Sequence, residues 1–188
     1  MRPLKTGESV LRLCGYGPNY STTLHLTKPD CPLGRYRLKF FNQGGDPMQV
    51  NLDGTESSVF EFTLPVVSSR RMTTQGSSEA TQVGYALIES RLPVDAQAIF
   101  RVSNPDWTVS SEAGAEAAES KVLHVLPIER VVNSDLDTGI ALVNPGEKES
   151  KVQLVLVGED GRDPDAITAH PVLMLGAGGQ TSLFLSEI

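Results

Sequence analysis

The chain has 188 residues, 39% hydrophobic and 21% charged, which is ordinary globular usage and excludes a disordered polypeptide. Its net charge of −7 favours solubility and speaks against nucleic acid, which would need a basic face. No run of about 18 apolar residues occurs, so no helical membrane span is expected.

The opening "MRPLKTGESVLRL" is basic but lacks the apolar core of a signal peptide. On that ground the protein is either cytoplasmic or exported by a signal lying outside this sequence. Cys14 and Cys31 are the only cysteines, and three histidines far apart make a structural zinc site a poor expectation. A Cys14–Cys31 disulfide would close a loop of about 17 residues and contribute roughly 3 kcal/mol. Two free thiols fit the sequence equally well.

Apolar residues then recur with period two, in short runs cut by Gly, Pro, Asn and Asp. "TTLHLT" (22–27), "YRLKFF" (36–41), "VFEFTL" (59–64), "QVGYALIES" (82–90) and "AIFRVS" (98–103) alternate as half-buried strands do. "VLHVLPI" (122–128), "GIALV" (139–143), "KVQLVLV" (151–157), "PVLML" (171–175) and "TSLFL" (181–185) continue the series. About a dozen strands at this spacing predict an all-β sandwich or barrel. "EAGAEAAES" (112–120) has helix-forming composition without an apolar face and reads as an acidic, exposed linker.

The chain also repeats itself. "TTLHLTKP" (22–29) aligns with "TGIALVNP" (138–145) at an offset of 116, and that offset pairs Tyr36, Leu38 and Phe40 with Val152, Leu154 and Leu156. Further on, "FTLPVVSSRRM" (62–72) matches "LMLGAGGQTSL" (173–183), and "VLRL" (10–13) matches "VLHV" (122–125). Duplication of a sandwich-sized unit follows. Two tandem immunoglobulin-like antiparallel β-sandwiches are expected: residues 1–107 with a hairpin at 83–102, an Ala/Ser-rich linker at 108–120, and residues 121–188. One larger sandwich sharing both units is the alternative.

The set "YSTTLHLTKP", "YRLKFFNQGGDP", "QVGYALIESRLPVDAQAIFRV", "TGIALVNPGEKESKVQLVLVGEDG" and "LGAGGQTSLFLSEI" resembles paired β-sandwich modules of unknown function in large secreted or surface-attached proteins of environmental bacteria. The resemblance implies secretion or cell-surface placement, often beside adhesive domains, and no catalytic residues. One departure is "LTKPDCP", standing where a Leu-x-Asn-Pro turn such as "LVNP" is expected.

Chemistry-bearing residues are sparse. "LGAGGQT" (175–181) fails the dinucleotide fingerprint, because Thr181 takes the third glycine's place and a strand pattern follows where a helix is needed. It reads as a hairpin turn. His25 and His124 alternate with apolar neighbours and are expected on outward faces, and no nucleophile elbow accompanies them or His170. Glu159, Asp160, Asp163 and Asp165 in "EDGRDPD" form a candidate calcium loop, although EF-hand spacing is absent. A second acidic cluster, Asp135 and Asp137, lies in "SDLDTG". Trp107, the single tryptophan, is expected to pack where the two units meet.

Residues 1–107 carry 11 basic and 10 acidic side chains, against 5 and 13 in residues 108–188. The bland meaning is a more solvated second half; the sharper one is head-to-tail association or cation binding. The expectation is a non-enzymatic, extracellular structural or adhesive module without a resident cofactor. Its partners would be other protein domains or subunits, or surface glycans. A calcium-dependent or lectin-like module is the alternative, and a hydrolase a distant third.

Overall fold

The computed structural model describes residues 8–16, 19–28, 33–75, 81–129, 131, 137–158, 160–162 and 171–187. Regular structure in them is β throughout, apart from one 3-10 turn at Leu185–Glu187. In the first unit these strands are β1 (Glu8–Tyr16), β2 (Tyr20–Lys28), β3 (Gly34–Asn42), β4 (Val50–Leu52) and β5 (Thr55–Ser57). β6 (Val59–Leu64), β7 (Ser68–Thr73), β8 (Gln82–Ser90), β9 (Asp95–Ser103) and β10 (Val109–Glu116) complete it.

Two antiparallel four-stranded sheets, β1-β8-β3-β6 and β10-β9-β2-β7, face each other as a sandwich. Alternation decides which side chains meet between them. β3 turns Arg35 and Arg37 outward and buries Tyr36, Leu38 and Phe40. Leu24 and Leu26 of β2, Ile88 of β8, and Ala96 and Ala98 of β9 share that core. Each fully buried leucine contributes about 1.5–3 kcal/mol by leaving water. On the outer face Arg37 and Lys39 pair with Glu61 and Glu89 across the ladders, contacts worth little at such exposure.

Two expectations need correction here. Residues 83–102 do not form a hairpin: β8 lies between β1 and β3, whereas β9 lies between β10 and β2. The connection crosses the sandwich, a corner that shares a hairpin's period-two pattern. The expected linker is largely β10, an exposed edge strand held to β9 by backbone bonds and the Arg101–Glu112 pair. Its continuation bonds Ala117 N–H to Ala96 O (2.8 Å) and exchanges two bonds between Ala118 and Val10, tying one sheet to the other. Between β3 and β6 the chain forms the β4–β5 hairpin, turned at Asp53-Gly54, both at positive φ.

The second unit consists of β11 (Gly139–Val143), β12 (Ser150–Gln153), β13 (Val172–Leu175) and β14 (Gln180–Phe184). β11 pairs with β14 and β12 with β13, so "LGAGGQT" joins two ladders and is not a hairpin. At the offsets read from the sequence, the pairings of the two units correspond. Thr23↔Thr73 in β2–β7 corresponds to Gly139↔Phe184 in β11–β14, and Gly34↔Leu64 in β3–β6 to Ser150↔Leu175 in β12–β13. Partner choice and register are both conserved between the copies.

No ladder among the described residues joins a strand of one unit to a strand of the other. The second copy lacks counterparts of β8 and β9 among those residues. "VLHVLPI", expected as a strand, is not one: Val122 is 95% and Val125 87% exposed. Its counterpart β1 is held by β8. Without such a partner the apolar alternation has nothing to pair with.

Candidate functional site

The glycine loop sits where the two units touch. Gly179 N–H donates to Gly176 O (3.0 Å), closing a β-turn with Gly178 at φ +67°. Gly178 lies against Gly45, itself at φ +91°, so closely that a Cβ on Gly45 would stand 2.8 Å from Gly178 O. Only two glycines permit this approach of backbone to backbone. Tyr85 Oη donates to Gly178 O (3.0 Å), and Gln180 N–H donates to Gln43 O (2.9 Å). The Tyr85 ring stacks on Phe41 at 5.2 Å, and burial raises its phenol above the ordinary value. It therefore remains a donor at neutral pH.

Beside the junction Asn144 is buried and satisfied on both ends of its amide. Its Nδ2 donates to Lys148 O (2.7 Å), Leu175 O (3.0 Å) and Gly176 O (2.9 Å), and Oδ1 accepts from Gly146 N–H (3.1 Å). This is the Asn of "LVNP". In the first unit Lys28 takes the aligned place and is itself buried to 1% exposure. The two copies thus fill one position with different polar side chains.

At the far end of β9–β10 stands a turn built by side chains. Asn104 N–H donates to Thr108 O, Trp107 N–H donates to Asn104 O, and Asp106 Oδ1 accepts from both the N–H and the hydroxyl of Thr108. The Thr108 hydroxyl, and then its N–H, hold the Asp106 carboxyl below its ordinary value. The turn presents Trp107 at φ +67° and 80% exposure, contrary to the expected packing between the units. Period-two reading could not foresee this, because the turn's own hydrogen bonds set the direction of the indole. Tyr20, paired with Val102, is half-exposed at the same end of the sheet.

Other singled-out residues are scattered. Asp160 is exposed, its Oδ1 accepting from Arg162 N–H (3.1 Å) in a tight turn at Gly161 (φ +77°). Arg162 thus places a cation within 4.0 Å of the one candidate calcium ligand that is described. Glu159, Asp163 and Asp165 lie outside the described residues, as do Cys31, Asp135 and His170. Cys14 falls on β1. No group of three or more His, Cys, Asp or Glu capable of holding a metal occurs among the described residues. Asp137 Oδ2 accepts from Ser186 N–H, tying down the final turn. His25 is half-buried on β2 between Arg71 and Gln97, and His124 is exposed, so the structure does not bring them together.

No family model and no curated protein matches the sequence. Among solved structures, a crystal structure of Thermotoga maritima 1070 is similar at 10% identity and a TM-score of 0.47, over 62% of this chain and 97% of that one.

Proposed function

We propose that the chain is a non-catalytic structural and adhesive module of an exported or surface-attached protein, acting through contacts with protein domains or glycans. The Trp107 turn carries this reading. A tryptophan exposed to 80% leaves a large apolar face in water, and an aromatic residue at positive φ costs of order 1–3 kcal/mol. Five hydrogen bonds around Asn104, Asp106 and Thr108 hold it there regardless. An aromatic face on a rigid hairpin tip suits stacking against a sugar ring or an apolar protein surface.

Binding of the full chain to a glycan array and to immobilised cell-envelope preparations tests this reading. Trp107→Ala is expected to weaken retention at least tenfold while leaving the unfolding temperature unchanged. Wild-type protein that binds none of these surfaces overturns the adhesive reading. Binding indifferent to Trp107→Ala overturns the site. Turnover in a broad hydrolase panel would overturn the non-catalytic part.

A further inference from the structure

The two copies of the four-strand unit share pairings and register, yet only the first is covered. In the first, β8 lies along the free side of β3 and β9 along the free side of β2. In the second, no described strand lies along β12 opposite β13, or along β11 opposite β14. The backbone bonds show which groups this leaves open. Leu154 N–H donates to Pro171 O and Asn144 N–H to Gly179 O, so even-numbered residues of β12 and β11 face their partners. The N–H and C=O groups of Lys151 and Gln153, and of Ala141 and Val143, therefore point to the open edges.

The side chains agree. Leu24, Leu26, Leu38 and Met72 are at most 2% exposed, and their aligned counterparts Ile140, Leu142, Leu154 and Leu183 are only half-buried. These four line an open cavity of about 2880 Å³ that also reaches the exposed segment around Leu123 and part of β10. Two unpaired edges beside apolar side chains are what a β-sheet normally covers.

From this we propose that the second unit is a strand acceptor: the open edges of β11 and β12 receive a strand pair of the β8–β9 kind from outside residues 1–188. The occupant's chemistry follows from what fills the same place in the first copy. There, small and branched apolar residues, Ala86, Ile88, Ala96 and Ala98, point into the core at alternate positions, on two strands joined by a four-residue corner. The occupant would add backbone hydrogen bonds to both edges and give 122–126 a strand to pair with, as β8 does for β1. A second copy is a poor donor, because its own β8 and β9 are committed to its core. The inference rests on the structural-module reading, but its test makes no use of Trp107 or of any surface.

Hydrogen exchange on the full chain provides the test, with a synthetic peptide of residues 81–104 as probe and its scramble as control. The authentic peptide is expected to slow exchange of the 139–143 and 150–153 amides at least tenfold, leaving β2 and β3 unchanged. Gln153→Pro and Ala141→Pro, which remove edge donors without touching the existing ladders, should abolish the slowing. Normal exchange in β2 and β3 would verify that these variants are folded. In a second arm, residues 74–103 are appended after Ile188 through a flexible linker, so that weak binding in trans does not mask the effect. Absence of added protection in both arms overturns the proposal, as does equal protection by the scramble. Protection already present in the free chain, with a dimer in sedimentation, would show that copies cover each other and would also overturn it.

Discussion

The first unit and the second are two copies of one strand arrangement, with the same partners and the same register, and they differ in burial. In the first, β8 and β9 close both sheets, and the core cluster runs from Leu24 to Ala98. In the second, Asn144, Leu175 and Gln180 are the buried residues among those described. Strand pairing therefore does not by itself make a core. A sandwich hides its inner faces only when neighbouring strands extend each sheet, and the second unit shows the same kernel without them.

Removing the same side chain from each copy should give the largest contrast. Leu38→Ala, at a fully buried site, is expected to destabilise by about 2–5 kcal/mol in denaturant unfolding. Leu154→Ala, its half-buried counterpart, should cost less than about 1 kcal/mol, because little area leaves contact and little cavity forms. Equal costs would mean that the second unit is covered in solution.

Asn144→Ala should come next, at about 2–3 kcal/mol, since three carbonyls lose one shared donor group in a partly buried place. Hydrogen exchange would locate the loss in β11–β14 and spare β2–β7. An effect spread over both units would mean that the junction, and not the local turn, depends on Asn144.

A reciprocal exchange sharpens the comparison further. Val67 and Gly178 are aligned, and both have positive φ, +48° and +67°. Val67→Gly removes a β-branched residue from left-handed backbone and is expected to stabilise by up to about 1 kcal/mol. Gly178→Val should destabilise by more than that, because its Cβ would also press on Gly45 Cα at 3.1 Å. Thermal unfolding of both variants reads out the pair of opposite signs.

The smallest effect concerns the Trp107 turn under acid. Asp106 has its carboxyl lowered in the folded turn, so its contribution is complete above the ordinary carboxylate pKa of about 3.9 and fades as pH falls through the folded value. Fluorescence of the single tryptophan should be flat from pH 7 to about 5 and change below that. Asp106→Asn should remove the step. A step that survives would assign the acid response to another carboxylate.

Much of the strand inventory was legible. "VFEFTL", "QVGYALIES" and "GIALV" coincide with β6, β8 and β11, because half-buried strands alternate and their ends carry turn residues. β10 was not, since "VSSEAGAE" pairs through its backbone at an exposed edge and needs no apolar face. The β4–β5 hairpin has a local signal, Asp-Gly between Val50-x-Leu52 and a polar strand. "VLHVLPI" carried a strand signal that the fold leaves unused. Of the candidate sites, the glycine loop was visible as a turn, but its contact with Gly45 joins residues more than 130 positions apart and leaves no local trace.

The sequence by itself determined the all-β class and the place of many strands, because alternation and turn chemistry are local. The tertiary structure alone decided which strands share a sheet and that Trp107 faces water. It alone also set Gly178 against Gly45 and left one copy of the unit open. Those outcomes depend on which surfaces meet in space. Two segments with the same alternation are equally ready to pair, and only the presence or absence of a neighbour distinguishes a core strand from an exposed one.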